Sequence, residues 1–276
     1  MTATLLSIGH GYAGRALAHA LPPGWTCLGT SRQPGAADVL WPDGTAEALA
    51  QATHLVSWVP PGADGDPVLP LIADLPAPNL TWVGYASASS VYGDTGGDWL
   101  DESAPDAPTT ERGHRRLAAE TAWQAWANAR GLPLARLRIA GIYGPGRSSL
   151  DALREGRAQR ITEPGQVFNR IHVDDLARLT AAAARTRLPG PLILSDAEPA
   201  PLAEVTAFAA RLLGLTPPPE IPFDQASLSP TARSFYAENK RLRSRRLTEL
   251  GTDMLYPDYR AGLAAILAAE GCDTTP

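Results

Sequence analysis

The chain has 276 residues, 44% of them hydrophobic and 19% charged, with a formal net charge of −5. That length and apolar content suit one large α/β domain, or a main domain with a smaller lobe, and the acidic balance excludes a broad nucleic-acid-binding face. No run of 18 apolar residues occurs, and the first residues lack a basic stretch leading into a cleavable apolar one, so a cytoplasmic protein without a membrane span is expected.

Residues 4–8 form a short apolar run of strand type. Gly9-His10-Gly11-Tyr12-Ala13-Gly14 follows in a G-x-G-x-x-G spacing, and an alanine-rich helical stretch begins at once. Each glycine has a task in a dinucleotide fold. Gly9 permits the tight turn, Gly11 lets the backbone approach a pyrophosphate, and Gly14 lets helix and strand pack closely. The helix N-terminus offers free N–H groups to the phosphates. A tight strand–helix turn holding no ligand is the alternative.

A second strand is expected over 25–29. Dinucleotide folds commonly end this strand on an acid that binds the ribose of NAD, but here the chain reads Thr30-Ser31-Arg32. Ser31 can donate to a 2′-phosphate and Arg32 can pair with it, so NADP is expected over NAD. Asp38 follows Pro34-Gly35 and sits too far on. A short strand at 38–41 and a helix at 45–51 precede a compact apolar strand at 54–59, which Pro60-Pro61-Gly62 stops. Then come a helix near 67–75, a strand at 80–85, the loop Ala86-Ser87-Ala88-Ser89-Ser90-Val91-Tyr92-Gly93, a long helix near 110–130 and a strand at 134–139. This alternation predicts an α/β fold, a doubly wound parallel sheet of Rossmann type with right-handed crossovers.

Beyond Arg147 the rhythm changes. A short helix is expected near 150–155, and Asp174 is placed to N-cap a helix running to 186. A strand at 192–195, a helix at 202–213 and a last helix at 259–270 follow. The expected organisation is a dinucleotide-binding domain over 1–148, to which 172–196 returns, and a smaller C-terminal lobe over 149–276. Lys240 is the chain's single lysine. The two cysteines, Cys27 and Cys272, are far apart and match no metal-ligand spacing, so no metal is expected.

Taken together, these segments resemble the short-chain dehydrogenase/reductase superfamily in its extended form, the NAD-dependent epimerase/dehydratase group. The likeness is greatest to its atypical, sugar-nucleotide-epimerase-like members. It rests on the Gly9 to Gly14 loop, Pro60-Pro61 with Gly65-Asp66-Pro67, Ser87 to Gly93, Ile142-Tyr143-Gly144-Pro145-Gly146, and Arg170-Ile171-His172-Val173-Asp174-Asp175. A sixth segment runs from Asn239-Lys240-Arg241 through Leu250-Gly251 to Tyr256-Pro257. The resemblance implies a cofactor, NADP or else NAD, across the strand C-termini, held by Gly9, Gly11, Tyr12, Gly14, Ser31, Arg32, Pro60, Arg116 and Tyr143. It places a substrate between sheet and lobe, near Arg112, Arg147, Arg170 and His172. It also implies a monomer or a homodimer, the latter through the helices near 67–75 and 110–130. Trp123 and Trp126 serve that interface or pack within the subunit.

Active members of the family use a tyrosine four residues before a lysine on the long helix. Aligning on Ala119-Glu120 puts Arg112 and Arg116 at those positions, and the family's serine or threonine falls on Ala88. Arginine stays charged and cannot accept a proton. Tyr236-Ala237-Glu238-Asn239-Lys240 has the Y-x-x-x-K spacing but comes after the sheet is complete, so it is set aside. The substitute candidates for proton transfer are Ser87, Ser89, Tyr92 and His114; histidine titrates near neutrality, although a solvent-facing His114 is the plainer reading. The arginines around Arg112 suit a small anionic substrate. Two functions stay open: an atypical oxidoreductase or epimerase of a small or sugar-nucleotide substrate, and a non-catalytic dinucleotide-binding sensor or scaffold.

Overall fold

The structure is a computed structural model that describes residues 2–272. The first half of the chain runs β1 (Ala3–Ile8), α1 (Tyr12–Ala20), β2 (Trp25–Ser31), β3 (Val39–Leu40), α2 (Thr45–Gln51), β4 (His54–Ser57), α3 (Leu69–Ile72) and β5 (Trp82–Ala88). A short β6 (Trp99–Leu100) lies in the loop before the long helix α4 (Glu111–Ala129), which leads to β7 (Leu134–Ile139) and β8 (Gly141–Tyr143). The second half holds α5 (Ser149–Arg154), β9 (Arg160–Thr162), β10 (Arg170–His172), α6 (Val173–Thr186), β11 (Gly190–Leu194) and α7 (Leu202–Leu212). It closes with β12 (Glu220–Pro222), α8 (Pro230–Ser234), β13 (Arg241–Leu242) and α9 (Tyr259–Cys272); the Cys272 side chain lies outside the described part.

Seven parallel strands form one sheet in the order β11-β7-β5-β4-β1-β2-β3. The chain winds outward from β1 through β2 to β3, then returns and winds the other way from β4. That reversal opens a crevice beyond the C-terminal ends of β1 and β4, where open α/β sheets bind ligands. Alternate side chains of each strand face opposite layers. Leu5 joins Leu17 of α1 with Leu176 and Leu179 of α6 on one face, while Leu6 and Ile8 join Leu49, Trp123 and Trp126 on the other. Trp123 is fully buried and Trp126 nearly so, which assigns both to packing within the subunit. A separate apolar cluster of Tyr143, Leu150, Val205, Tyr259, Leu263 and Ile266 holds α5, α7 and α9 together.

Two element expectations need correcting. The helix foreseen at 67–75 is the four-residue α3, with a proline in its first turn. Asp66 starts it by accepting from the N–H groups of Val68 and Leu69, both at 2.9 Å, and its other oxygen accepts from Trp123 Nε1 at 2.8 Å. At α6 the cap is His172, whose Nδ1 accepts from the Asp174 N–H at 3.2 Å, rather than Asp174 itself.

Candidate functional site

Two cavities open at the C-terminal ends of the parallel strands. The first, about 610 Å³, is lined by Ile8, Gly9, His10, Gly11, Thr30, Ser31, Arg32 and Pro60 among others. Its floor is the glycine loop. Gly9 has φ +76°, and a Cβ there would stand 2.7 Å from Val59. A Cβ on Gly14 would stand 2.9 Å from Ser7 Oγ, which measures how closely α1 lies on β1. A Cβ on Gly11 would meet only the Gly9 carbonyl, at 3.8 Å, so this backbone borders open space. Gly11 is also the N-cap of α1 and offers no side chain to the first N–H groups, leaving the helix start free to face an anion. Such a cradle fits a pyrophosphate.

The rim of that cavity carries Ser31 and Arg32, the residues expected from sequence to meet a 2′-phosphate. Arg32 is exposed at the end of β2, and Ser31 Oγ accepts from the Gln33 N–H at 3.0 Å. Asp38, though later in sequence, folds back so that its Oδ2 accepts from the Gly29 N–H at 2.8 Å. Its carboxylate is thereby tied to β2. His10 packs against Gly29 with Nδ1 3.1 Å from Ser7 Oγ, and burial lowers its pKa. Tyr12 sits apart from this cavity, its hydroxyl donating to the Pro145 carbonyl at 3.1 Å and its ring 5.9 Å from the Arg147 guanidinium carbon.

The second cavity, about 740 Å³, lies beyond β5 and β7 and is lined by Ala88, Ser89, Ser90, Arg112, Arg116, Tyr143, Arg170, Tyr236, Glu238 and Lys240 with a set of aliphatic and aromatic side chains. Thr110 caps α4, its Oγ1 accepting from the Gly113 N–H at 3.2 Å, so the helix starts just where Arg112 and Arg116, one turn apart, meet the cleft. Arg116 Nη1 donates to the Ala86 carbonyl at 2.8 Å and to the Tyr85 hydroxyl at 3.2 Å. Arg112 stacks 4.2 Å above the Phe235 ring. Arg170 is buried and its guanidinium bonds the carbonyls of Phe168 (2.8 Å) and Ala200 (3.0 Å).

The structure separates the substitute proton-transfer candidates. Ser89 lines the cleft, and Ser87 is buried beside it with an unpartnered hydroxyl. His114 is exposed, about 200° around α4 from Arg112, and lines neither cavity. Tyr92 is buried with its ring 4.7 Å from the guanidinium of Arg138, and burial pushes its pKa up to about 12. It is a core residue. His172 is also structural: besides capping α6 its ring lies between Tyr143 and Tyr256, at 5.2 and 4.2 Å, and burial lowers its pKa. Tyr143 reaches the cleft edge, but its hydroxyl donates to the Asp258 carbonyl at 3.4 Å. Arg147 is exposed and lines a third cavity with Ser149, Arg157 and Gln159.

The segment set aside from sequence proves to be a wall of the cleft. Tyr236 and Lys240, from the C-terminal part of the chain, line it together with Arg112 and Arg116. They do not form the family's helical pair, because Tyr236 is in a 3-10 turn and Lys240 bonds Glu238 Oε2 at 2.6 Å. Burial lowers the Lys240 pKa against that pairing. Glu238 also accepts from Thr110 Oγ1 at 2.7 Å, joining this strap of residues 236–240 to the start of α4. Among the described residues no cluster of His, Cys, Asp and Glu could hold a metal ion, and no helix is long and apolar enough to cross a membrane.

A doubly wound sheet with a glycine cradle at its switch point defines the class as a Rossmann dinucleotide fold. The sequence model of the NAD dependent epimerase/dehydratase family matches residues 70–192. A 3-diazoavenalumate denitrifying reductase from a Streptomyces species is 32% identical over 139 residues, which is 46% of this chain and 45% of that relative. A conserved protein of unknown function from Silicibacter pomeroyi DSS is 48% identical with a TM-score of 0.89, covering 97% of this chain and 99% of the other. The human epimerase family protein SDR39U1, solved with NADPH, is 21% identical with a TM-score of 0.78, over 96% of this chain and 99% of that one.

Proposed function

We propose that this chain binds a nicotinamide dinucleotide, NADP in preference to NAD, and acts as a reductase on a small substrate in the Arg112–Arg116 cleft. The observation that carries the proposal is the open backbone at Gly11 between a positive-φ Gly9 and a Gly14 packed on Ser7, at the topological switch point of a parallel sheet. Arg32 at the end of β2, with the Asp38 carboxylate tied to Gly29, supports the 2′-phosphate. SDR39U1 carries NADPH on this fold, and the Streptomyces relative is a reductase.

When bound, the nicotinamide supplies a hydride. Arg112 and Arg116 cannot exchange a proton at neutral pH, so their contribution is electrostatic: they lower the energy of negative charge appearing on the substrate in a cleft partly closed to water. Arg116 is held in place by the Ala86 carbonyl. Neutral donors stand nearby, since the hydroxyls of Ser90 and Tyr236 are buried without partners and both residues line the cleft. Arginine at the family's tyrosine position favours one second reading, a dinucleotide sensor without turnover.

Titration of the purified chain with NADPH and NADH tests the cofactor. Arg32→Ala is expected to weaken NADPH about 10- to 100-fold, as loss of a charged hydrogen bond does, and to leave NADH within about twofold. Absence of binding of either at millimolar concentration overturns the proposal. Single-turnover oxidation of bound NADPH by reducible acceptors separates reductase from sensor.

A further inference from the structure

We infer that the cleft between Arg112 and the Tyr236 wall is built for a flat apolar carboxylate, with Arg112 as the residue that grips the carboxylate; this names the substrate class of the proposed reductase and rests on that reading. Charge points to an anion. The lining holds four cations, Arg112, Arg116, Arg170 and Lys240, against a single carboxylate, Glu238, and that carboxylate is taken up by Lys240 and Thr110.

Of the four cations only Arg112 has all of its donors to spare. Arg116 and Arg170 bond backbone carbonyls, and Lys240 bonds Glu238. Among the described residues Arg112 makes no hydrogen bond and no ion pair, and it rests on the Phe235 ring. Stacking on an aromatic face fixes the plane of a guanidinium while leaving its edge open, the arrangement that receives a carboxylate bidentately.

The rest of the lining describes the body of the ligand. Ile139, Ile142, Ile161, Val167, Phe168, Leu202 and Leu228 supply aliphatic and aromatic surface. Tyr236 forms a slab with Phe168 edge-on at 5.0 Å and Phe223 stacked at 4.5 Å. Flat rings pack well on such a slab, whereas a sugar ring, with a hydroxyl on nearly every carbon, would bury polar groups against it. Two hydrogen-bonding groups stand without partners in this apolar setting, the Ser90 and Tyr236 hydroxyls. A polar substituent on the ligand would satisfy them.

The test uses the full chain, with and without NADPH, and three probes: trans-cinnamate, its neutral isostere cinnamide, and UDP-glucose. Calorimetric titration should show cinnamate binding at least about tenfold tighter than cinnamide, as expected for a charged hydrogen-bonded pair, with UDP-glucose weaker than either. Arg112→Gln should remove the preference for cinnamate, and Arg112→Lys should restore part of it. Thermal melting of each variant checks that the fold is kept. Equal affinity for cinnamate and cinnamide, an unchanged preference in Arg112→Gln, or UDP-glucose binding tighter than cinnamate would each overturn the inference. Because NADPH binding is read separately, a chain that takes cinnamate but no NADPH sinks the cofactor proposal alone.

Discussion

At the residue scale the three loop glycines respond differently to one added methyl group. A Cβ at position 9 would meet Val59 from a backbone with φ +76°, so Gly9→Ala is expected to lower stability by about 1–3 kcal/mol, the cost of overpacking with strain. At position 11 the same methyl meets open space. Gly11→Ala should therefore keep the melting temperature while weakening NADPH about tenfold or more, equal to some 1.4 kcal/mol. Chemical denaturation and NADPH titration of the two variants check the contrast, and a Gly11→Ala protein with undiminished affinity would contradict the cradle. The turn itself can be read from sequence because the spacing sets a strand–turn–helix. The role of His172 cannot. An N-cap histidine and a ligand histidine look the same until the ring is seen between Tyr143 and Tyr256 with its Nδ1 on the Asp174 N–H.

At the scale of elements the central sheet is legible because its strands carry near-continuous apolar runs, as strands covered on both faces do. The far wall of the cleft is not. Residues 226–242 have neither helical nor strand period along the sequence, and the segment is placed by long-range hydrogen bonds from side chains and main chain to its carbonyls. Gln166 Nε2 donates to the Glu238 carbonyl at 3.0 Å, Asn169 Nδ2 to the Lys240 carbonyl at 2.9 Å, and the Thr95 and Gly97 N–H groups to the Asn239 carbonyl at 3.0 Å. Such long-range bonds leave no mark on local pattern. The Lys240–Glu238 pair that anchors this strap is buried, with side-chain exposures of 6% and 5%. Removing one partner of a buried pair strands the other charge, so Lys240→Met should cost about 3–5 kcal/mol. Adding Glu238→Gln to Lys240→Met should recover most of that loss. Denaturant unfolding of the two singles and the double forms the cycle, and simple additivity would show that the pair does not act as a unit.

For the molecule as a whole, buried titratable groups pull stability in opposite directions with pH. His54 lies between Trp25 and Trp82, with ring centroids 4.4 and 6.2 Å away, and burial takes its pKa down to about 4. The unfolded chain, with a histidine pKa near 6.5, binds more protons between those values, so this group makes stability rise with pH from about 4 to 6.5. Burial of His10 and His172 acts in the same sense. Asp196 does the reverse. It is 2% exposed, its Oδ2 has no partner, and burial raises its pKa to about 8 despite Arg170 nearby. The folded chain then holds the extra proton from about pH 4 to 8, and stability falls as pH rises through that window. Below about 6.5 the two trends compete; above it the histidine contribution is complete and the Asp196 decline remains. From pH 6.5 to 8 that decline should amount to about 1–2 kcal/mol, at 1.36 kcal/mol per unit. Asp196→Asn, which carries no titrating proton, should gain stability relative to the parent chain over this range, and the gain should be read in urea midpoints at pH 5, 6.5 and 8. A difference between the two proteins that stays constant with pH would mean that Asp196 does not titrate with folding.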